Sequence, residues 1–314
     1  MKQAILFPGQ GSQFVGMGKE VYEAFPFVRP LFEEMDDSLS QNLTSLIFEG
    51  PSEQLLLTEN TQPALVAVSL AILKVLEQAG AGITAFSYAA GHSLGEYAAL
   101  CATGVLSFSD TMQALRQRGF AMQQAVPVGQ GGMVALIGAS LEQAEAIAQE
   151  VSNYGVCEVA NDNCPGQIVL SGSLTALGHI PAVAEEFSLR KVMPLNVSAP
   201  FHSSLMEPAA QKMESVLRNL PFGEAVRPII PNVTVTPETS GDILRNLLVR
   251  QITGRVRWTE TILRLQALGV TRVVEVGAGK VLSGLVKRIS PEITALSIHS
   301  PHEIDEFVGL QAQV

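Results

Sequence analysis

The sequence predicts an α/β protein in two unequal parts, a large domain built on a parallel sheet and a small inserted domain of ferredoxin-like βαββαβ order. Three observations carry this expectation. An apolar strand closes on a glycine loop within residues 4–13, a strand, tight turn and helix follow one another at 86–102, and a compact cycle of strands and helices occupies about Met133 to Val197. With 314 residues, 47% of them hydrophobic, the chain can bury cores of that size.

Ala4-Ile5-Leu6-Phe7 reads as a strand running into Pro8-Gly9-Gln10-Gly11-Ser12-Gln13, a loop whose glycines leave backbone amides free. Residues 14–60 alternate helical patches with turns, and Pro63 is expected to open a buried apolar helix ending near Gly80. Phe86 to Ala90 reads as a second strand, and Glu96 to Ala102 has the composition of a helix. In the compact cycle, Met133–Gly138 alternates like a strand. Ser140 caps a helix to about Val151, with Gln143 at the capping-box position. Strands follow at Val156–Ala160 and Gln167–Ser171, then a helix near Thr175–Phe187 and a strand near Lys191–Asn196. The Asn161–Gly166 stretch is read as the loop between the two middle strands. Gly129, Gly131 and Gly132 on one side and Ala199-Pro200 on the other suit a domain junction. The expected division is therefore residues 1–130 with 199–314 for the large domain and 131–198 for the insertion. Arg272 to Val276 is a further apolar strand of the large domain.

Composition removes several classes of function. Thirty acidic side chains against 20 basic ones give a net charge of −10, which disfavours nucleic acid or an anionic membrane as the main partner. The longest apolar run, about Ala64 to Leu73, stops at Lys74, short of the roughly 20 residues a membrane span needs. The first residues meet a glycine turn too soon for a signal peptide, so a cytoplasmic protein is expected. Cys101, Cys157 and Cys164 form no CxxC pair, and neither a disulfide framework nor a thiolate metal site is suggested. No metal and no bound organic cofactor are expected.

The chemistry concentrates at Gly91-His92-Ser93-Leu94-Gly95. A GxSxG string between a strand and a helix is the nucleophile-elbow pattern, and it makes the large domain α/β-hydrolase-like. At a helix start the Leu94 amide points where an oxyanion forms, helped by the helix dipole. A second donor is needed, and the Gly9-Gln10-Gly11 loop is either that donor, through Gln10, or a packing turn. Serine is a poor nucleophile without a base. Of five histidines, His92 adjoins Ser93 on a tight turn and points away from it, and His179, His299 and His302 read as surface. His202 follows a strand at the domain junction, where clefts form, and is the expected base.

Several strings together resemble a known family. They are Phe7–Gln13 (FPGQGSQ), Gly91–Glu96 (GHSLGE), Arg118-Gly119 with Met122, Asn163-x-Pro165-x-Gln167, Ala199–Ser203 (APFHS) and Glu275-Val276-Gly277-x-Gly279. In this order they resemble the malonyl-CoA:acyl-carrier-protein transacylases over nearly the whole chain. The resemblance implies that Ser93 takes the malonyl group from malonyl-CoA and passes it to the phosphopantetheine thiol of acyl carrier protein, in support of fatty-acid synthesis. It implies His202 as base and acid, oriented by the backbone carbonyl of Gln251, with the oxyanion held by the amides of Gln10 and Leu94. Arg118 then holds the free carboxylate of malonate, for which a guanidinium is geometrically suited. Arg116 reads instead as a helix-surface arginine. Phe201 leaves little space for an α-methyl branch, a discrimination of about 1–3 kcal/mol. A free-standing polyketide acyltransferase and an acyl-thioester hydrolase on the same scaffold are the alternatives. A monomer is expected, with a basic patch from Arg190, Lys191, Lys287 and Arg288 for the acidic carrier. Pro231-Asn232-Val233-Thr234 and Gly277-Ala278-Gly279 depart from the family strings and are placed outside the chemistry.

Overall fold

The computed structural model describes residues 2–187, 189–197 and 199–311. Two sheets organise the chain. In the first, β1 (Lys2–Phe7), β2 (Tyr88–Gly91), β8 (Val270–Val276) and β9 (Thr294–Ile298) lie in the order β2-β1-β8-β9, all parallel. Parallel strands are covered by helices on both faces, so β1 is apolar at every position from Ala4 to Phe7 and every one of those side chains is buried.

The helix Thr58–Gln78 is buried over most of its surface, which explains its apolar composition on all sides. It begins five residues before Pro63, not at it. The Leu57 carbonyl accepts from the Asn60 and Thr61 amides and starts the helix earlier. This helix packs closely against the helix Phe108–Gln124: a Cβ on Gly119 would lie only 2.5 Å from the Glu59 backbone.

The second sheet contains β3 (Gly131–Ile137), β4 (Cys157–Cys164), β5 (Gln167–Ser173), β6 (Lys191–Pro194) and β7 (Val256–Arg257), in the order β6-β3-β5-β4-β7. The first four pair antiparallel with one another, as the βαββαβ order requires. Their apolar residues, among them Val134, Leu136, Ile168 and Leu170, pack on the helix Leu141–Val151 in a core of their own. That helix carries the expected capping box between Ser140 and Gln143.

Two further local expectations are corrected, and one strand is added. β4 runs through Asn161–Cys164, because register shifts at Val159/Asn161 and Asp162/Cys164 let polar residues stay in the ladder. The helix expected near Thr175–Phe187 is broken into Leu174–Leu177, Ile180–Ala184 and a turn of 3₁₀ helix at Glu185–Phe187, around Gly178 and Pro181. The fifth strand, β7, comes from far along the chain and pairs parallel with Asn161 and Asp162. At the junction, a Cβ on Gly131 would lie 2.6 Å from the Pro200 ring, so the two connecting segments touch. Residue 198, the expected end of the insertion, lies outside the described residues.

Candidate active site

β2 ends at Gly91, and the helix Gly95–Ala102 begins after three residues. Ser93 between them has φ of 51°, a left-handed conformation that costs a non-glycine residue on the order of 1–3 kcal/mol. The flanking glycines make this turn possible. A Cβ on Gly91 would stand 1.9 Å from the Gly95 carbonyl oxygen, and one on Gly95 would stand 2.3 Å from that of Phe7. Buried Asn232 braces the turn: its Oδ1 accepts from the Ser93 amide at 2.8 Å and its Nδ2 donates to the Gly91 carbonyl at 2.7 Å.

The Ser93 hydroxyl lies 2.7 Å from His202 Nε2. His202 Nδ1 donates to the Gln251 carbonyl at 2.8 Å, which leaves Nε2 unprotonated and able to accept from Ser93. His202 is itself left-handed, with φ of 57°. Burial, and after it the charge of Arg118, pushes its pKa down to about 3, so the ring is a neutral acceptor at ordinary pH.

Arg118 reaches the same point from the helix Phe108–Gln124 and is almost fully buried. Its Nη2 donates to Ser93 Oγ at 3.2 Å and to Gln251 Oε1 at 2.9 Å, and its Nη1 to Gln62 Oε1 at 2.7 Å. The guanidinium also lies 5.7 Å from the Tyr97 ring centre. Arg116, expected on the helix surface, is partly buried and donates to Asn60 Oδ1 at 3.0 Å. Ser93, His202 and Arg118 open into a cleft of about 620 Å³ between the sheets. Gln10, Gln62 and Phe201 share one wall with them, and Met133, Ala135 and Val169 line the other.

The family model for the acyl transferase domain matches residues 5–294. The chain belongs to the acyl transferase family. It is 45% identical over 305 residues to the malonyl CoA-acyl carrier protein transacylase of Bacillus subtilis strain 168, covering 97% of this chain and 95% of that one. With the protein of the same name from Escherichia coli K12 it shares 40% identity over 298 residues, 95% and 96% of the two chains. Among solved structures, the acyl-carrier-protein-S-malonyltransferase of Bartonella henselae superposes with a TM-score of 0.97 at 48% identity, covering 99% and 100% of the chains. A malonyl-transacylase solved in complex with a type II PKS acyl-carrier protein superposes with a TM-score of 0.96 at 38% identity, over 99% and 100%.

The remaining predicted positions of this acyltransferase fall around the same point. Gln10 borders the cleft from the loop after β1, and among the described residues neither its backbone amide nor that of Leu94 finds a backbone acceptor, while the Gln10 side-chain amide donates to Thr58 Oγ1 at 3.4 Å. His92 turns away from Ser93 and bonds Asn163 Oδ1 on β4 at 2.8 Å, tying the elbow to the second sheet. Of the remaining histidines, His179 stacks on Tyr154 and His299 bonds Glu303, both outside the cleft lining. The four suggested basic residues are all exposed, and Arg288 is in addition engaged with Gln167 and the Pro165 carbonyl.

Asn232 corrects the expectation that its segment lies outside the site. It sits in a loop with no motif spacing to the elbow, about 140 residues away in the chain. Gln62 and Glu96 were missed for a related reason. Each is a polar residue inside an apolar helix, and that anomaly is the signal that could have found them.

Proposed function

We propose that this acyltransferase moves a malonyl group from malonyl-CoA to the phosphopantetheine thiol of an acyl carrier protein, through an ester on Ser93, in supply of fatty-acid synthesis. The observation that carries the reading is the Arg118 guanidinium bonded to the Ser93 hydroxyl within the cleft, in a chain similar to malonyl transacylases. A cation there offers a fixed partner to an acyl group ending in a carboxylate, and nothing comparable to acetyl.

In the first step His202 Nε2 takes the Ser93 proton as Oγ attacks the thioester carbonyl. The amides of Leu94 and Gln10 receive the developing oxyanion. The C–S bond breaks, and the CoA sulfur leaves with the proton from His202. The carrier thiol then gives its proton to His202 and attacks the ester carbonyl, and Ser93 leaves reprotonated by the same ring. Burial is the main cause of the low basicity of His202, and malonate paired with Arg118 offsets the smaller contribution of that charge. A polyketide carrier is a second reading, favoured by the likeness to the transacylase solved with a type II PKS carrier.

The division into 1–130 with 199–314 and 131–198 is part of the proposal, supported by the separate core of the second sheet. A reducing, cytoplasmic setting fits three unbridged thiols, Cys101, Cys157 and Cys164.

The test is incubation with radiolabelled malonyl-CoA with and without holo-carrier. Stable label on the protein that passes to the carrier, and no label on Ser93→Ala, is expected. Rapid release of free malonate without carrier sinks the transferase reading, and persistent labelling of Ser93→Ala removes the nucleophile.

A further inference from the structure

A carboxylate that the proposed chemistry does not use lies beneath the elbow. Glu96, in the first turn of the helix after Ser93, is fully buried. Its Oε2 accepts from the Asn232 amide at 3.0 Å and from Gln251 Nε2 at 2.9 Å, while Oε1 has no partner among the described residues. Glu96 and Arg118 face opposite ends of the same Gln251 amide, whose Oε1 accepts from Arg118 Nη2.

This arrangement fixes which way the amide points. Glu96 Oε2 accepts whether the carboxyl is ionised or carries its proton on Oε1, and the Ser93 carbonyl, which takes the same Gln251 Nε2 at 3.0 Å, can only accept. Two acceptors on one side hold the NH2 there and turn the amide oxygen toward Arg118. We propose that Glu96 is a positioning residue for acyl-group selection, setting the Gln251 amide that aims the Arg118 guanidinium at the free carboxylate of the acyl group. The inference rests on the malonyl-transfer reading.

The location is unfavourable for a carboxylate that serves only stability. Burial pushes its pKa up to about 7, against the smaller opposing effects of the Asn232 and Gln251 hydrogen bonds and the Arg118 charge. The titratable and charged groups that face it are Arg118, from the helix Phe108–Gln124, and its neighbour Tyr97, whose hydroxyl is also unpartnered. A buried carboxylate with half its acceptor capacity idle is retained for a function more readily than for a net gain in stability. Its distance from Arg118 is part of that function. A carboxylate bonded directly to the guanidinium would compete with the substrate, whereas one held an amide away offsets the charge and leaves the substrate-facing edge open.

Acylation by malonyl-CoA and by acetyl-CoA is measured in the wild type, Glu96→Gln, Arg118→Ala and the double variant. Arg118→Ala collapses the malonyl-over-acetyl ratio, and Glu96→Gln lowers that ratio by about tenfold, within the usual range of pairwise coupling. Added to Arg118→Ala, Glu96→Gln leaves the ratio where it was. Additive losses, or equal slowing with both donors, overturn the inference while leaving the transfer reading intact. If Glu96→Gln does not fold, Glu96→Asp keeps the charge but withdraws it by one methylene, and it must show the same non-additivity. A ratio indifferent to Arg118→Ala removes Arg118 as the carboxylate partner and this inference with it, whereas failure of label to pass from Ser93 to the carrier removes the transfer reading itself.

Discussion

The two walls of the cleft are built differently. On the large-sheet side, Ser93, Arg118, His202 and Gln251 form one hydrogen-bonded network over the buried supports Glu96 and Asn232. Across the gap, the second sheet presents the apolar Met133, Ala135 and Val169, which set shape and exclude water, beside the polar Asn161, Asn163 and Gln167. At the rim, Leu56 and Val281 from the large-sheet side and Met193 from the second sheet are apolar and exposed. A network is intolerant of change because removing one member leaves its partner buried and unsatisfied. An apolar wall loses contact area gradually. The difference teaches where reactivity and where selectivity by size reside, and single substitutions can test it.

The largest effect is expected at the network. His202→Ala should slow acylation of Ser93 by about a thousandfold, the range for a lost general base, measured as the single-turnover rate with malonyl-CoA. The same residue fixes the pH dependence. The base works unprotonated and its pKa lies at about 3, so the acylation rate rises with pH only through that low value and is flat above it. Acetyl-CoA is the donor for this profile, since it gives Arg118 no carboxylate to hold. An acid limb near the ordinary histidine value, about 6.5, would contradict the buried, neutral ring.

A smaller effect is expected where the network meets the wall. Phe201 is buried against the cleft beside His202, and Phe201→Ala should relax selection against methylmalonyl-CoA by about 1–3 kcal/mol, read as the ratio of kcat/KM values. Unchanged selectivity would move the size filter to the second sheet. The smallest effect is expected outside the cleft. Arg288→Ala removes exposed bonds to Gln167 and the Pro165 carbonyl and should cost no more than about 1 kcal/mol of stability by thermal melting.

The sequence by itself determined what local pattern and covalent spacing dictate. The elbow was legible because two glycines flanking a serine between strand and helix answer one local steric need, and the βαββαβ order because each strand and cap is a short-range signal. Ser93, His202 and Gln10 were named from pattern and Arg118 and Gln251 through the family resemblance; the first four border a single cleft, and Gln251 bonds Arg118 and His202 behind it. Only the tertiary structure decided the supports. Asn232 reaches the elbow across about 140 residues, β7 joins a sheet whose other strands lie far upstream, and Glu96 faces Arg118 through the amide of Gln251. Such contacts follow from how helices and sheets pack, and burial then sets the charge state of what they enclose. The unprotonated His202 and the raised carboxyl of Glu96 come from desolvation, a property of the packed interior that a string of residues does not carry.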